Sequence, residues 1–175
     1  MRKLRMSELN RMTAEEFKES EKHPFSIALD DIRSILNVGS VFRSADAFRC
    51  DKIYLGGLSP EPVKEMRKTA LGATDSVSWQ AMPNGLGALA ALKADGYEIW
   101  AVEQTTDSIM LNDWAPQLDK KQLFVFGNEL SGVSDEVLAF CDGAIEIPQF
   151  GTKHSLNISV SAGIVLWDYI RKTLK

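Results

Sequence analysis

Arg43 lies in the stretch Asn37–Phe48, where Val38, Val41, Phe42, Ala45 and Phe48 recur at helical spacing and form one apolar stripe. At about 100° per residue, Arg43 falls roughly 140° from Val38 and points away from the core. A guanidinium placed there is available to an anion such as a phosphate, unless Asp46, three residues on, pairs with it. Asn37 and Gly39 are expected at the start of this helix, where backbone N–H groups lack intrahelical partners and could also meet an anion.

Two further stretches place polar residues just beyond apolar runs. LFVFG (123–127) reads as the end of a buried strand and is followed by NELSGVSDE. Gly127 and Gly132 permit a tight turn and close backbone approach by a ligand. Glu129 then sits beyond a strand's carboxyl end, where ligands gather in open α/β sheets, although a loop or helix cap is an equal use for it. The run AIEIP (144–148) leads through QFGTKH into SLN, which opens a long apolar segment. Ser155 and Asn157 suit a helix N-cap, and equally suit hydrogen bonds to a ribose or to a cofactor's amino-acid moiety. The chain has neither GxGxxG after a strand nor GxxxxGK[ST], so an adenosine-containing cofactor would have to be held by other means.

These segments need a scaffold. Nearly continuous apolar runs at Ser26–Leu29, Lys52–Leu55, Glu98–Val102, Leu123–Phe126 and Ala144–Ile147 predict parallel strands covered on both faces, with helices between them. The class is α/β with a mainly parallel sheet. Pro62 suits a first helical turn and Gly72 its end, Ser134 suits a cap, and Asn157–Leu174 predicts a largely buried helix ending at Arg171 and Lys172. Residues 1–22, mixed in charge, read as a helical arm or tail before a single domain over 23–175.

Composition narrows the classes. Of the 175 residues, 45% are apolar and 25% charged, as in ordinary globular domains. No apolar run approaches the ~20 residues of a membrane span, and the charged N-terminus has no signal-peptide core, so a cytoplasmic protein is expected. Cys50 and Cys141 form no metal-ligand cluster with His23 and His154, so inert thiols and no metal are expected. A net charge of −4 argues mildly against a nucleic-acid partner, but Arg2, Lys3, Arg5 and Arg11, and again Lys64, Arg67 and Lys68, concentrate positive charge locally.

Taken together, the three stretches resemble the motifs of SpoU/TrmH-type methyltransferases of the SPOUT superfamily. Asn37, Gly39, Arg43, Ser44, Ala45, Asp46, Ala47 and Phe48 match the first motif. Phe126, Gly127, Glu129, Gly132 and Val133 match the second; Ile147, Pro148, Gly151, Ser155, Leu156, Asn157, Ser159 and Val160 match the third. Gln149, Ser161 and Arg49 depart from the usual residues, at positions without a proposed chemical role.

The resemblance implies a parallel sheet with helices on both faces, a deep C-terminal trefoil knot, and a homodimer whose active site is completed across the interface. It implies S-adenosylmethionine as cofactor and a ribose 2′-hydroxyl of tRNA or rRNA as acceptor. Gly127, Ile147, Leu156 and Thr105 would hold the cofactor. Arg43 would contact the RNA phosphate and the reacting hydroxyl, with Asn37, Glu129, Ser155 and Asn157 orienting the groups. Two roles stand open for Arg43, general base or electrostatic clamp, and guanidinium chemistry favours the clamp because the group stays protonated at neutral pH. A non-catalytic RNA-binding or ribosome-assembly protein on the same fold, or a base methyltransferase, are the alternatives.

Overall fold

All five strands expected from the apolar runs form, and all run parallel. They are β1 (Phe25–Asp30), β2 (Lys52–Gly56), β4 (Tyr97–Val102), β6 (Lys121–Gly127) and β7 (Gly143–Glu146) in a computed structural model that describes residues 1–174. Two short strands, β3 (Ser78–Met82) and β5 (Ile109–Met110), extend the sheet at its edges to the order β3-β2-β1-β6-β4-β7-β5. Alternate residues point to opposite faces, as the pleat demands. Ile27, Leu29, Phe124 and Phe126 enter one apolar cluster, while Ala28, Leu123 and Val125 enter another.

The first cluster is covered by α2 (Ile35–Ala47), α3 (Arg67–Ala70), α4 (Ala73–Ser76) and α7 (Ile158–Thr173). The second is covered by α5 (Gly85–Ala94) and α6 (Asp135–Phe140). Helices thus lie on both faces of a parallel sheet. The N-terminal segment contributes α1 (Ala14–Glu19), closed by a Thr13–Glu16 capping box, and its Phe17 is buried in the first cluster.

Several local expectations change. Helix α2 begins at Ile35 because the Ser34 hydroxyl accepts the Asn37 N–H, which leaves Gly39 inside the helix rather than at its open end. A Cβ on Gly39 would stand 2.2 Å from Thr69 Oγ1, so this glycine serves the packing of α2 on α3. Pro62 precedes the helical turn, which starts at Lys64, and the segment ends where Leu71 and Gly72 both turn left-handed. Ser134 does occupy the N-cap of α6, yet its hydroxyl donates to Asp30 (2.8 Å) instead of capping. Arg171 and Lys172 close α7 as expected and both pair with the buried Asp168, at 2.7 and 2.6 Å. Burial pushes the Cys50 thiol up, and that of Cys141 up to about 11, which keeps both protonated and unreactive at neutral pH. No helix among the described residues is long and apolar enough to cross a membrane.

Candidate functional site

Strand register gathers the site. Asp30 pairs with Gly127, and Val102 with both Phe126 and Ile145, so the carboxyl ends of β1, β6, β4 and β7 finish at one edge of the sheet. The loop leaving β6 folds back at once. Asn128 and Gly132 exchange two backbone hydrogen bonds of 2.9 Å, and the Asn128 carboxamide oxygen accepts the N–H groups of Leu130 (2.9 Å) and Ser131 (3.3 Å). Gly132 is left-handed, with φ +72°. A Cβ on Gly127 would lie 2.0 Å from Val133 N, so only glycine allows this return.

Two acids pin the loop to neighbouring strand ends. The Glu103 carboxylate, just past β4, accepts the Val133 N–H at 3.1 Å. Asp30, at the end of β1, accepts both the N–H and the hydroxyl of Ser134, at 3.0 and 2.8 Å. Neither acid was singled out from sequence, although an acidic residue at the carboxyl end of a buried strand is a legible sign of this role.

Held in this way, Glu129 meets the other two stretches. Asn37 Nδ2 donates to Glu129 Oε1 at 2.9 Å, and Asn157 Nδ2 donates to Asn37 Oδ1 at 3.1 Å. Asn157 in turn caps α7, its Oδ1 accepting the N–H (2.9 Å) and hydroxyl (2.6 Å) of Ser159. One residue from each stretch therefore enters a single hydrogen-bond chain. Burial acts to raise the Glu129 carboxyl, but the Asn37 amide and the backbone near Arg33 and Ser34 at the start of α2 outweigh it and hold the group below the usual carboxylate range. Glu129 is ionised at neutral pH and forms one wall of an open cleft of about 630 Å³ that Asp31, Asn37 and Asn128 also line.

The residues expected at a cofactor lie along the same edge. Thr105 follows β4, half-buried, and its carbonyl accepts the Ser108 hydroxyl at 3.0 Å. Gln104 Nε2 donates to the His154 carbonyl at 2.6 Å and fastens this loop to the one after β7. Among the described residues, no backbone N–H between Gln149 and Leu156 donates within the fold. Ile147 is half-buried and Leu156 is exposed beside them. Apolar side chains flanked by unpaired amide groups suit the flat, hydrogen-bonding base of an adenosine, so the residues present fit such a group.

Arg43 and Ser155 stand apart from the chain of asparagines. Both are exposed, and among the described residues neither makes a side-chain hydrogen bond or ion pair within the fold. The Asp46 carboxylate does not pair with Arg43; it accepts the Ser76 hydroxyl at 2.5 Å. Arg43 lies about 9 Å along α2 from Asn37 and roughly 120° around it, with the exposed Leu36 and Ala47 for neighbours on its own face.

Comparison with known proteins gives a consistent picture. Residues 24–167 match the SpoU rRNA methylase family model. The chain is 28% identical to a tRNA (guanosine(18)-2′-O)-methyltransferase of Thermus thermophilus over 97% of its own length and 86% of the relative's. It is also 28% identical to a 23S rRNA (guanosine-2′-O-)-methyltransferase of Haemophilus ducreyi, over 95% of this chain and 68% of that one. Among solved structures, an S-adenosylmethionine-bound rRNA methyltransferase from Sinorhizobium meliloti superimposes with a TM-score of 0.81 at 24% identity. That match covers 91% of this chain and 61% of the other, and it establishes the shared fold.

Proposed function

This chain belongs to the SpoU rRNA methylase family, and we propose that it transfers a methyl group from S-adenosylmethionine to a ribose 2′-hydroxyl of tRNA or rRNA. The observation that carries this reading is the Asn157–Asn37–Glu129 chain, which joins the three motif stretches at the carboxyl edge of the sheet. The relatives named for guanosine 2′-O-methylation of tRNA and of 23S rRNA support the same reaction and leave both RNA classes as candidates.

S-adenosylmethionine, when bound, supplies a methyl already activated on its sulfonium, so the protein's task is positioning and charge stabilisation. Gly127, Ile147, Leu156 and Thr105 would hold it, the loops doing so through backbone groups. Arg43, unpaired and exposed, clamps the RNA phosphate and stabilises negative charge on the 2′-oxygen as its proton passes to solvent water. A guanidinium stays protonated at neutral pH, so this electrostatic role suits Arg43 better than that of a base. Asn37, Glu129 and Asn157 act as positioning residues, and Ser155 supplies a hydroxyl from the same loop.

The active unit in this reading is a homodimer. Leu36 on α2 and Val160 and Trp167 on α7 are 54%, 50% and 55% exposed, more than large apolar side chains on packed helices usually are. Val160 and Trp167 are seven residues apart and so share one face. The trefoil knot that accompanies this fold family and an RNA-facing role for residues 1–22 belong to the same proposal.

Incubation with methyl-tritiated S-adenosylmethionine and unfractionated tRNA or rRNA, followed by alkaline hydrolysis, tests the reaction. Ribose methylation blocks cleavage of the adjacent phosphodiester, so label is expected in alkali-resistant dinucleotides. Label confined to mononucleotides would assign the methyl to a base, and a chain that binds RNA but neither cofactor nor label would be an RNA-binding protein.

A further inference from the structure

A second cleft, of about 440 Å³, opens beside the sheet's β3 edge. Lys64, Arg67, Thr74, Asp75 and Trp79 of β3 are among the residues that line it. The volume is in the range of about 300–1,000 Å³ typical of small-ligand clefts and accommodates a nucleotide. Trp79 is 37% exposed, unusual for so large an apolar ring, and it sits where an edge strand leaves its face uncovered. Among the described residues, Lys64, Arg67 and the adjoining Lys68 form no ion pair, although Glu61 and Glu65 are close in sequence. Unpaired cations flanking an exposed indole are the combination that holds single-stranded nucleic acid, through phosphate contacts and base stacking.

The cleft is also joined to the reaction site. Gly39 brings α2 against Thr69, and Asp46 accepts the Ser76 hydroxyl, so α3 and α4 are fastened along one side of α2. Arg43 projects from α2 roughly 40° from Gly39 and 60° from Asp46, next to that side.

We propose that the Lys64–Arg67–Trp79 cleft binds an unpaired nucleotide of the substrate RNA, stacked on the Trp79 indole with a phosphate on Lys64 and Arg67. Asp75 lines the same cleft, and a carboxylate there accepts from a base's amino or N–H groups and repels its carbonyl oxygens, which favours adenine, cytosine or guanine over uracil, whose single N–H is flanked by two carbonyls. This rests on the reading that RNA is the substrate, and the strand it holds continues across Arg43.

The test uses the full chain and a fluorescein-labelled, unstructured RNA dodecamer of mixed sequence, followed by anisotropy. Trp79→Ala should weaken binding about tenfold, and Trp79→Phe, which keeps a stacking face, should restore most of it. Lys64→Gln with Arg67→Gln should weaken binding and flatten the slope of log affinity against log salt by about 1.4. In methylation of unfractionated tRNA, the same variants should raise the KM for RNA and leave kcat and S-adenosylmethionine affinity unchanged. Wild-type affinity and KM in these variants, or a duplex dodecamer that competes as well as the single strand, would overturn the proposal. If the protein methylates no RNA but the variants still lose dodecamer binding, methyl transfer fails and the cleft stands.

Discussion

Asn37→Asp tests the hydrogen-bond chain with almost no change of shape. It replaces a donor 2.9 Å from Glu129 Oε1 by a second anion. Two unit charges at that separation repel by about 1.4 kcal/mol in bulk water and about 5.7 kcal/mol at an effective dielectric constant of 20. Glu129 is exposed, so the lower figure governs. The lost charge-assisted hydrogen bond adds about 1.5–3 kcal/mol. Side-chain rotation into solvent relieves part of this total but leaves the Glu129 carboxylate and the Asn157 amide without their partner in the chain. We expect kcat to fall about 10- to 100-fold at pH 8. The sign of the pH dependence follows from the pair. Glu129 alone lies below the usual carboxylate range, so it stays ionised down to acid pH in the native protein. Two adjacent carboxylates instead take up their first proton at least about one pH unit above that range, and the proton restores a donor between them. The rate of Asn37→Asp relative to the native protein should therefore rise from pH 8 to pH 5.5, while that of Asn37→Ala stays flat. Tritium transfer to tRNA, taken as a ratio at each pH, makes the measurement. A ratio that does not change with pH, or a variant as active as the native protein, would refute the chain's role.

Arg43→Lys keeps the charge but not the planar fork; methylation should drop about 100-fold or more while calorimetry finds S-adenosylmethionine affinity within twofold and the melting temperature unmoved. Gly127→Ala puts a methyl 2.0 Å from Val133 N and must break the paired Asn128–Gly132 bonds. A cost of about 2–3 kcal/mol should lower Tm by roughly 4–12 °C and cofactor affinity more than tenfold, and a variant with native Tm would show that the loop yields freely. Trp167→Glu should shift sedimentation from dimer to monomer, whereas a native protein already monomeric at micromolar concentration would dispose of the dimer.

The sheet was legible because its central strands are apolar on both faces, and runs such as LFVF have few other uses. Strands β3 and β5 were not, since SWQAM is exposed at four of five positions and β5 has only two residues. Edge pairing of this kind is settled by the neighbouring strand. The start of α2 lies earlier than the Asn37–Gly39 segment suggests because the Ser34 hydroxyl, ahead of two large apolar residues, sets the boundary. Gly39 could be picked out as a constrained position, but the constraint is Thr69 rather than a ligand. In the site, motif order and spacing marked Asn37, Glu129 and Asn157. Their mutual contact spans up to 120 residues of chain and depends on strand order, which local periodicity does not encode. Asp30 and Glu103 are marked only by their place at the carboxyl ends of buried strands, and no spacing tells which loop each of them holds.

The placement of Arg43 has a consequence for how the site is built. The asparagine–glutamate chain lies where α2 meets α7, and Arg43 leaves α2 roughly 120° away, beside Leu36. If one chain made a complete site, RNA would have to reach around the helix to touch both. If the exposed faces of α2 and α7 meet a second copy, each Arg43 is carried towards the partner's loops. The two arrangements differ in a mixed population. Arg43→Ala and Asn37→Ala are each expected to be nearly inactive alone, the first lacking the clamp and the second the positioning chain. Unfolded together in equal amounts and refolded, half of the dimers contain one copy of each. With a shared site, each mixed dimer holds one intact site of its two, and activity should return to about a quarter of the native level. With a site contained in one chain, every site keeps one defect and the mixture stays inactive, which would place Arg43 and Asn37 in the same protomer's reaction.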